Sequence, residues 1–155
     1  MSRFARLYLA VAIALSSAAA LAQGVTFSPG ELKKTAVASA DAVTLTTSTT
    51  SNTLTSIGLD AGAWTCAASA VSTGAGTTFP LLKIGFNTTD ATLPTAPAGG
   101  YAQCAGSAGT GAVGCVSRAY FLNLTAAATE YVVVNATFTG TAPTAYGEVA
   151  CIRIR

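Results

Sequence analysis

From Val43 onward, apolar and polar residues alternate in short runs, which is the pattern of strands with one face buried. Val43 to Thr47 sets Val and Leu against Thr; Leu54 to Leu59 and Ala63 to Val71 follow, separated by the turn sequence Asp60-Ala61-Gly62. In Leu81 to Asn87, Leu82, Ile84 and Phe86 share one face and Lys83, Gly85 and Asn87 the other. Arg118 to Thr125 gathers Tyr120, Leu122 and Leu124 on one side. Tyr131 to Thr139 sets Val132, Val134, Ala136 and Phe138 against Asn135, Thr137 and Thr139, and Tyr146 to Arg155 sets Ala150, Ile152 and Ile154 against Cys151, Arg153 and Arg155. These seven runs predict an antiparallel β-sandwich or barrel. Past the N-terminal residues, no segment carries a 3.6-residue stripe of any length.

Two stretches break the rhythm. Residues 23–40, with Pro29-Gly30 and Glu31-Leu32-Lys33-Lys34, lack a sustained period and read as an N-terminal arm ahead of a domain at 41–155. Thr88 to Gly114 is rich in Ala, Gly, Thr and Pro, and is longer than a connection in a compact domain usually is without structure of its own.

The first 22 residues place Arg3 and Arg6 before an apolar run from Leu7 to Leu15 and a small-residue stretch ending in Ala20-Leu21-Ala22. That order is the one found in secretory signal peptides, with cleavage expected before Gln23. The run is shorter than the roughly 20 apolar residues a spanning helix needs, so no membrane attachment is expected after cleavage. The expected localisation is secreted, extracellular or at the cell surface.

Removing residues 1–22 leaves 133 residues, enough for one well-buried core, and takes Arg3 and Arg6 with it. Six bases then face six acids, and the formal balance is zero. Lys33-Lys34 are the only adjacent bases, so a nucleic-acid partner is not expected. Low net charge removes the repulsion that keeps small proteins apart and favours assembly. Threonine supplies 24 of the 133 residues, a β-branched polar type that suits the wet face of a sheet.

The chain has no histidine, which excludes imidazole metal sites and nucleophilic catalysis with a histidine base. Cys66, Cys104, Cys115 and Cys151 contain no Cys-x-x-Cys, and an exported chain favours disulfides over thiolate metal sites. Of three possible pairings, spacing suggests one. Cys104 and Cys115 bracket a short loop, and Cys66 and Cys151 sit in strand-like runs able to neighbour one another.

Gly109-Thr110-Gly111-Ala112-Val113-Gly114 matches the dinucleotide-binding glycine pattern but lacks its strand–helix context, so no cofactor is expected. The Asn-x-Thr sequons at Asn87, Asn123 and Asn135 are read as chance matches in a threonine-rich chain. A pair of carboxylates, for example Asp60 or Asp90 with Glu130 or Glu148, is what glycoside hydrolysis would need, and Asn87 with Asp90 is the candidate for calcium. Both aspartates read better as turn formers, so neither catalytic nor metal residues are assigned. Trp64 and Tyr101 are the aromatic candidates for an interface or ligand contact, Trp64 also suiting a core position.

Three segments in order resemble one family. Leu54-Thr55-Ser56-Ile57-Gly58-Leu59-Asp60-Ala61-Gly62-Ala63-Trp64, Asn87-Thr88-Thr89-Asp90-Ala91-Thr92-Leu93-Pro94 and the closing run from Thr129 to Arg155 are similar to motifs of bacteriophage tail-fibre and appendage domains. The resemblance implies a jelly roll of the tumour-necrosis-factor-like kind, with about seven or eight strands, trimeric and used as a structural or receptor-facing knob. It also implies that the strands of Trp64 and Cys151 are neighbours, which supports joining Cys66 to Cys151. Phage tail proteins carry no signal peptide, and the related domains lack this cysteine set.

The expectation is therefore a secreted, non-catalytic structural or adhesive protein that forms a homo-oligomer. A surface glycan or a protein receptor is the candidate outside partner. One alternative is a filament subunit whose residues 23–40 add a strand to the next copy, and another is a carbohydrate-binding module.

Overall fold

The structure, a computed structural model, describes residues 30–106 and 110–154. The signal-like segment 1–22, arm residues 23–29 and Arg155 lie outside the described residues. Among the described residues the chain forms nine strands: β1 (Leu32–Val37), β2 (Val43–Thr44), β3 (Ser51–Leu59), β4 (Gly62–Asn87), β5 (Ala102–Ala105), β6 (Thr110–Val116), β7 (Tyr120–Leu124), β8 (Ala128–Thr139) and β9 (Thr144–Arg153). All pairings are antiparallel.

The all-β sandwich is a jelly roll, and its topology turns on β4. Residues 62–73 of this strand pair with β9 on one side and with β7 and β6 on the other. Residues 78–87 pair with β8 and β5 instead. Register shifts between Gly74 and Thr78 and between Thr78 and Leu81 mark the corner where the strand leaves one layer for the other, and Gly76 at φ +70 supplies backbone freedom there. The first layer therefore holds β1 and β2, β9, the first half of β4, and β6 with β7 end to end. The second holds β3, β8, the second half of β4, and β5.

Two of the seven predicted runs, Ala63 to Val71 and Leu81 to Asn87, are thus halves of one 26-residue strand. The long connection after Asn87 contains β5 and most of β6, and the arm contributes β1 to the first layer. Those three strands escaped the pattern because they are sheet-edge segments with weak alternation: β5 is Ala-Gln-Cys-Ala, and β6 has two glycines.

Alternate residues of both layers meet in one core. It takes Leu54, Ile57 and Leu59 from β3, Trp64, Cys66, Ala68 and Ala70 from β4, Leu82, Ile84 and Phe86 from the same strand past its corner, and Val132, Val134, Ala136 and Phe138 from β8. Leu54 and Ile57 are three residues apart, which would put them on opposite faces of a regular strand. A bulge between Thr53 and Thr55 restores both to the interior.

Cys66 and Cys151 face each other across β4 and β9 and are disulfide-bonded, with Cα atoms 4.1 Å apart. Cys104 on β5 and Cys115 on β6 are joined as well, tying one layer to the other. Two disulfides place the folded chain in an oxidising environment.

Candidate interaction face

The candidate site is built by β9, whose alternation the structure settles in an unexpected direction. Because Cys151 must face Cys66, every odd position of this strand points inward, including Arg153, and every even one outward, including Ile152. Arg153 is buried beside Trp64, its guanidinium 5.2 Å from the ring centroid. It donates to Glu31 Oε2 at 3.1 Å and to the carbonyl of Ala61. Lys33 of β1 lies 5.6 Å from the same ring and donates to Asp60 Oδ2 at 2.7 Å and Gly58 O at 3.2 Å. The Lys33 ammonium beside Asp60 holds that carboxyl below its ordinary value, by its hydrogen bond first and its charge second. Trp64 itself is fully buried and donates Nε1–H to Asp60 O at 2.9 Å, so it packs within the core under two cations.

On the opposite, outward side of the same layer, Leu32, Ile152, Thr65 and Phe121 form one straight row across β1, β9, β4 and β7, each in direct register with the next. Ile154 lies one step along, its amide donating to Ala63 O at 2.7 Å. Two steps the other way, Ala36, Glu148, Ser69 and Val116 form a second row. Leu32, Val116, Phe121, Ile152 and Ile154 are the large hydrophobic side chains most open to solvent among the described residues, at 46 to 71 % exposure, and all five stand on this face. Between them lie the small side chains Ala63, Thr65, Ala67, Ser69 and Ala150. Lys34 and Glu148 also lie here, and they neutralise each other at 2.6 Å.

Elsewhere the chain covers itself. On the outward side of β8, Val133 is fully buried and Asn135 nearly so. Val133 lies between Thr53 and Gly85, and the segment after β4 crosses this row. Thr53 Oγ1 donates to Asp90 Oδ1 and accepts the Ala91 amide at 2.8 Å, while Pro94 sits where a Cβ on Gly85 would be, 2.6 Å from its Cγ. Asn135 Nδ2 donates to Thr49 O.

The other sequence candidates are dispersed. Tyr101 is partly exposed ahead of β5 and donates its hydroxyl to Gln103 Oε1 at 3.2 Å, far along the chain and in a different layer from Trp64. Asn87 is engaged within its own turn, accepting the Thr89 amide at 3.0 Å and donating to Thr92 O at 2.8 Å. Asp60 is held by Lys33, Glu148 by Lys34, Asp90 by Thr53, and Glu130 is buried. No two of these carboxylates share a partner. Sequence reasoning passed over Leu32, Val116 and Phe121, although Phe121 was legible as the residue on the wrong side of Tyr120, Leu122 and Leu124.

Comparison with protein families, with characterised proteins and with solved structures finds no match to this chain.

Proposed function

We propose that the protein is a secreted, non-catalytic structural or adhesive subunit that assembles with copies of itself through the outer face of the β1–β9–β4–β7 layer. The observation that carries the reading is the collection of five exposed large apolar side chains on one face of a single layer. Contiguous exposed apolar surface on a small protein marks an interaction site. A second copy suits it because, among the described residues, the charged pair on the face, Lys34 with Glu148, is internally neutral, so like faces do not repel, and a chain with balanced charge has no net field to keep copies apart. Small side chains between the large ones let two sheets approach closely. The secretory signal and the oxidised cysteines support an extracellular setting, and the resemblance to appendage knobs supports a trimer. The exposed loop 88–98 is then free to meet a glycan or protein receptor.

Sedimentation of the oxidised protein lacking residues 1–22 tests this. An oligomer is expected at micromolar concentration, and Phe121→Glu combined with Ile152→Lys is expected to yield a folded monomer whose melting temperature no longer depends on protein concentration. A wild-type protein that is monomeric at every accessible concentration overturns the assembly.

A further inference from the structure

Glu130 is a full carboxylic acid inside the core of a sandwich that offers it nothing to bind. It stands on β8 directly opposite Ile57 of β3 and on the same side as Val132 and Val134. Its side chain is fully buried and neither carboxylate oxygen has a hydrogen-bond partner. Around it, β3 supplies Ile57 and Leu59, and β4 supplies Phe86, which stacks on Tyr120 of β7 with ring centroids 5.3 Å apart. Tyr120 is the titratable group that faces it, and the phenol is raised above its ordinary value by burial and then by the Glu130 charge. On β1, Lys33 reaches toward Gly58, one position from Ile57, but is bound to the Gly58 carbonyl and to Asp60. Arg153 and Glu31 are bound to each other beside Trp64.

An ionised carboxylate without donors is expelled from such a site, and a neutral acid is tolerated. We propose that Glu130 is held as the neutral acid in the folded protein and makes the fold proton-dependent, tightest in mildly acidic surroundings and loosened at the β3–β8–β7 end of the sandwich as the medium turns neutral and alkaline. Burial alone raises the carboxyl above its ordinary value, in agreement with the geometry. The sign follows from linkage. Below the unfolded pKa, about 4.3, folded and unfolded chains are both protonated and Glu130 imposes no pH-dependent penalty. Above it the unfolded chain loses its proton while the folded chain keeps its own, and stability falls with rising pH until the folded group ionises too. Asp60, held below its ordinary value by Lys33, and the Glu31–Arg153 pair act in the opposite sense, and they are the same in wild type and Glu130 variants, so the difference between those proteins isolates the Glu130 contribution.

The test is thermal and urea unfolding of the oxidised protein from pH 4 to 9, beside Glu130→Gln and Glu130→Leu. The expected result is a wild-type unfolding constant that rises with pH by up to about tenfold per unit above pH 4.3, relative to either variant. Parallel pH profiles for wild type and variants overturn the proposal. Carboxyl carbon chemical shifts of the wild-type protein give a second reading that needs no variant. A Glu130 midpoint well above 4.3 supports the proposal, and one at or below it refutes it.

Discussion

The two outer faces of this sandwich are treated in opposite ways. Over the β3–β8–β4 layer the chain folds back on itself: Pro94 lies on Gly85, Asp90 and Ala91 bind Thr53, and Val133 beneath them is sealed from water. Over the β1–β9–β4–β7 layer nothing of the described chain lies on the sheet, and Phe121, Leu32 and Ile152 stand open in a row. A sheet buried on both sides is part of a subunit's own stability, whereas a sheet left apolar on one side directs its free energy at another molecule. The difference teaches that outward-pointing residues here divide into those that hold the fold together and those left open to solvent, which the proposed function assigns to contacts between subunits.

Substitutions can break or sharpen that division. The largest effect is expected beneath the bare face, where replacing Cys66 and Cys151 by Ala opens a crosslink between residues 85 apart in sequence; loss of about 4–5 kcal/mol is expected in urea unfolding, with hydrogen exchange rising first in β9. Under the covered face, Val133→Asp places a charge in a sealed position and is expected to cost at least about 3 kcal/mol, measured by the same unfolding curve. Thr53→Val removes one donor and one acceptor from the overlying segment. About 1–2 kcal/mol should be lost, together with faster amide exchange at Ala91. Smallest for the subunit is Phe121→Ser on the bare face, expected to leave subunit stability within about 0.5 kcal/mol while weakening self-association more than tenfold by sedimentation. If Phe121→Ser instead destabilised the subunit as Val133→Asp does, the two faces would not differ in the way described.

Much of this fold was legible because polar and apolar residues alternate cleanly in the inner strands. Leu82, Ile84 and Phe86, and Val132, Val134, Ala136 and Phe138, face the core on the sides the pattern assigned. The pattern could not show that Ala63 to Val71 and Leu81 to Asn87 are one strand, because the alternation stops between them, where Gly74 and Gly76 lie at the corner between layers. Nor could it orient β9, where the two sides are nearly balanced in hydrophobicity and the inward one carries Arg153. Val133 and Asn135 show a third limit: alternation marks them as outward, and only the path of a distant segment buries them. Glu130 was visible as a potential acid, and its parity with Val132 and Val134 already pointed it into the core.

The pairing of Cys66 with Cys151 has a consequence for how the chain chooses among its own alternatives. Sliding β9 by one residue would send Ile152 and Ile154 inward and release Arg153 to solvent, an exchange that side-chain hydrophobicity by itself would favour at this end of the strand. Two residues forbid it: Gly147, where any Cβ would strike Ser69 O at 2.0 Å, and Cys151, which meets its partner in a single alignment. Oxidation thereby acts as a proofreading step, covalently recording the one alignment that leaves isoleucines on display, and a chain kept reduced loses that record along with the crosslink.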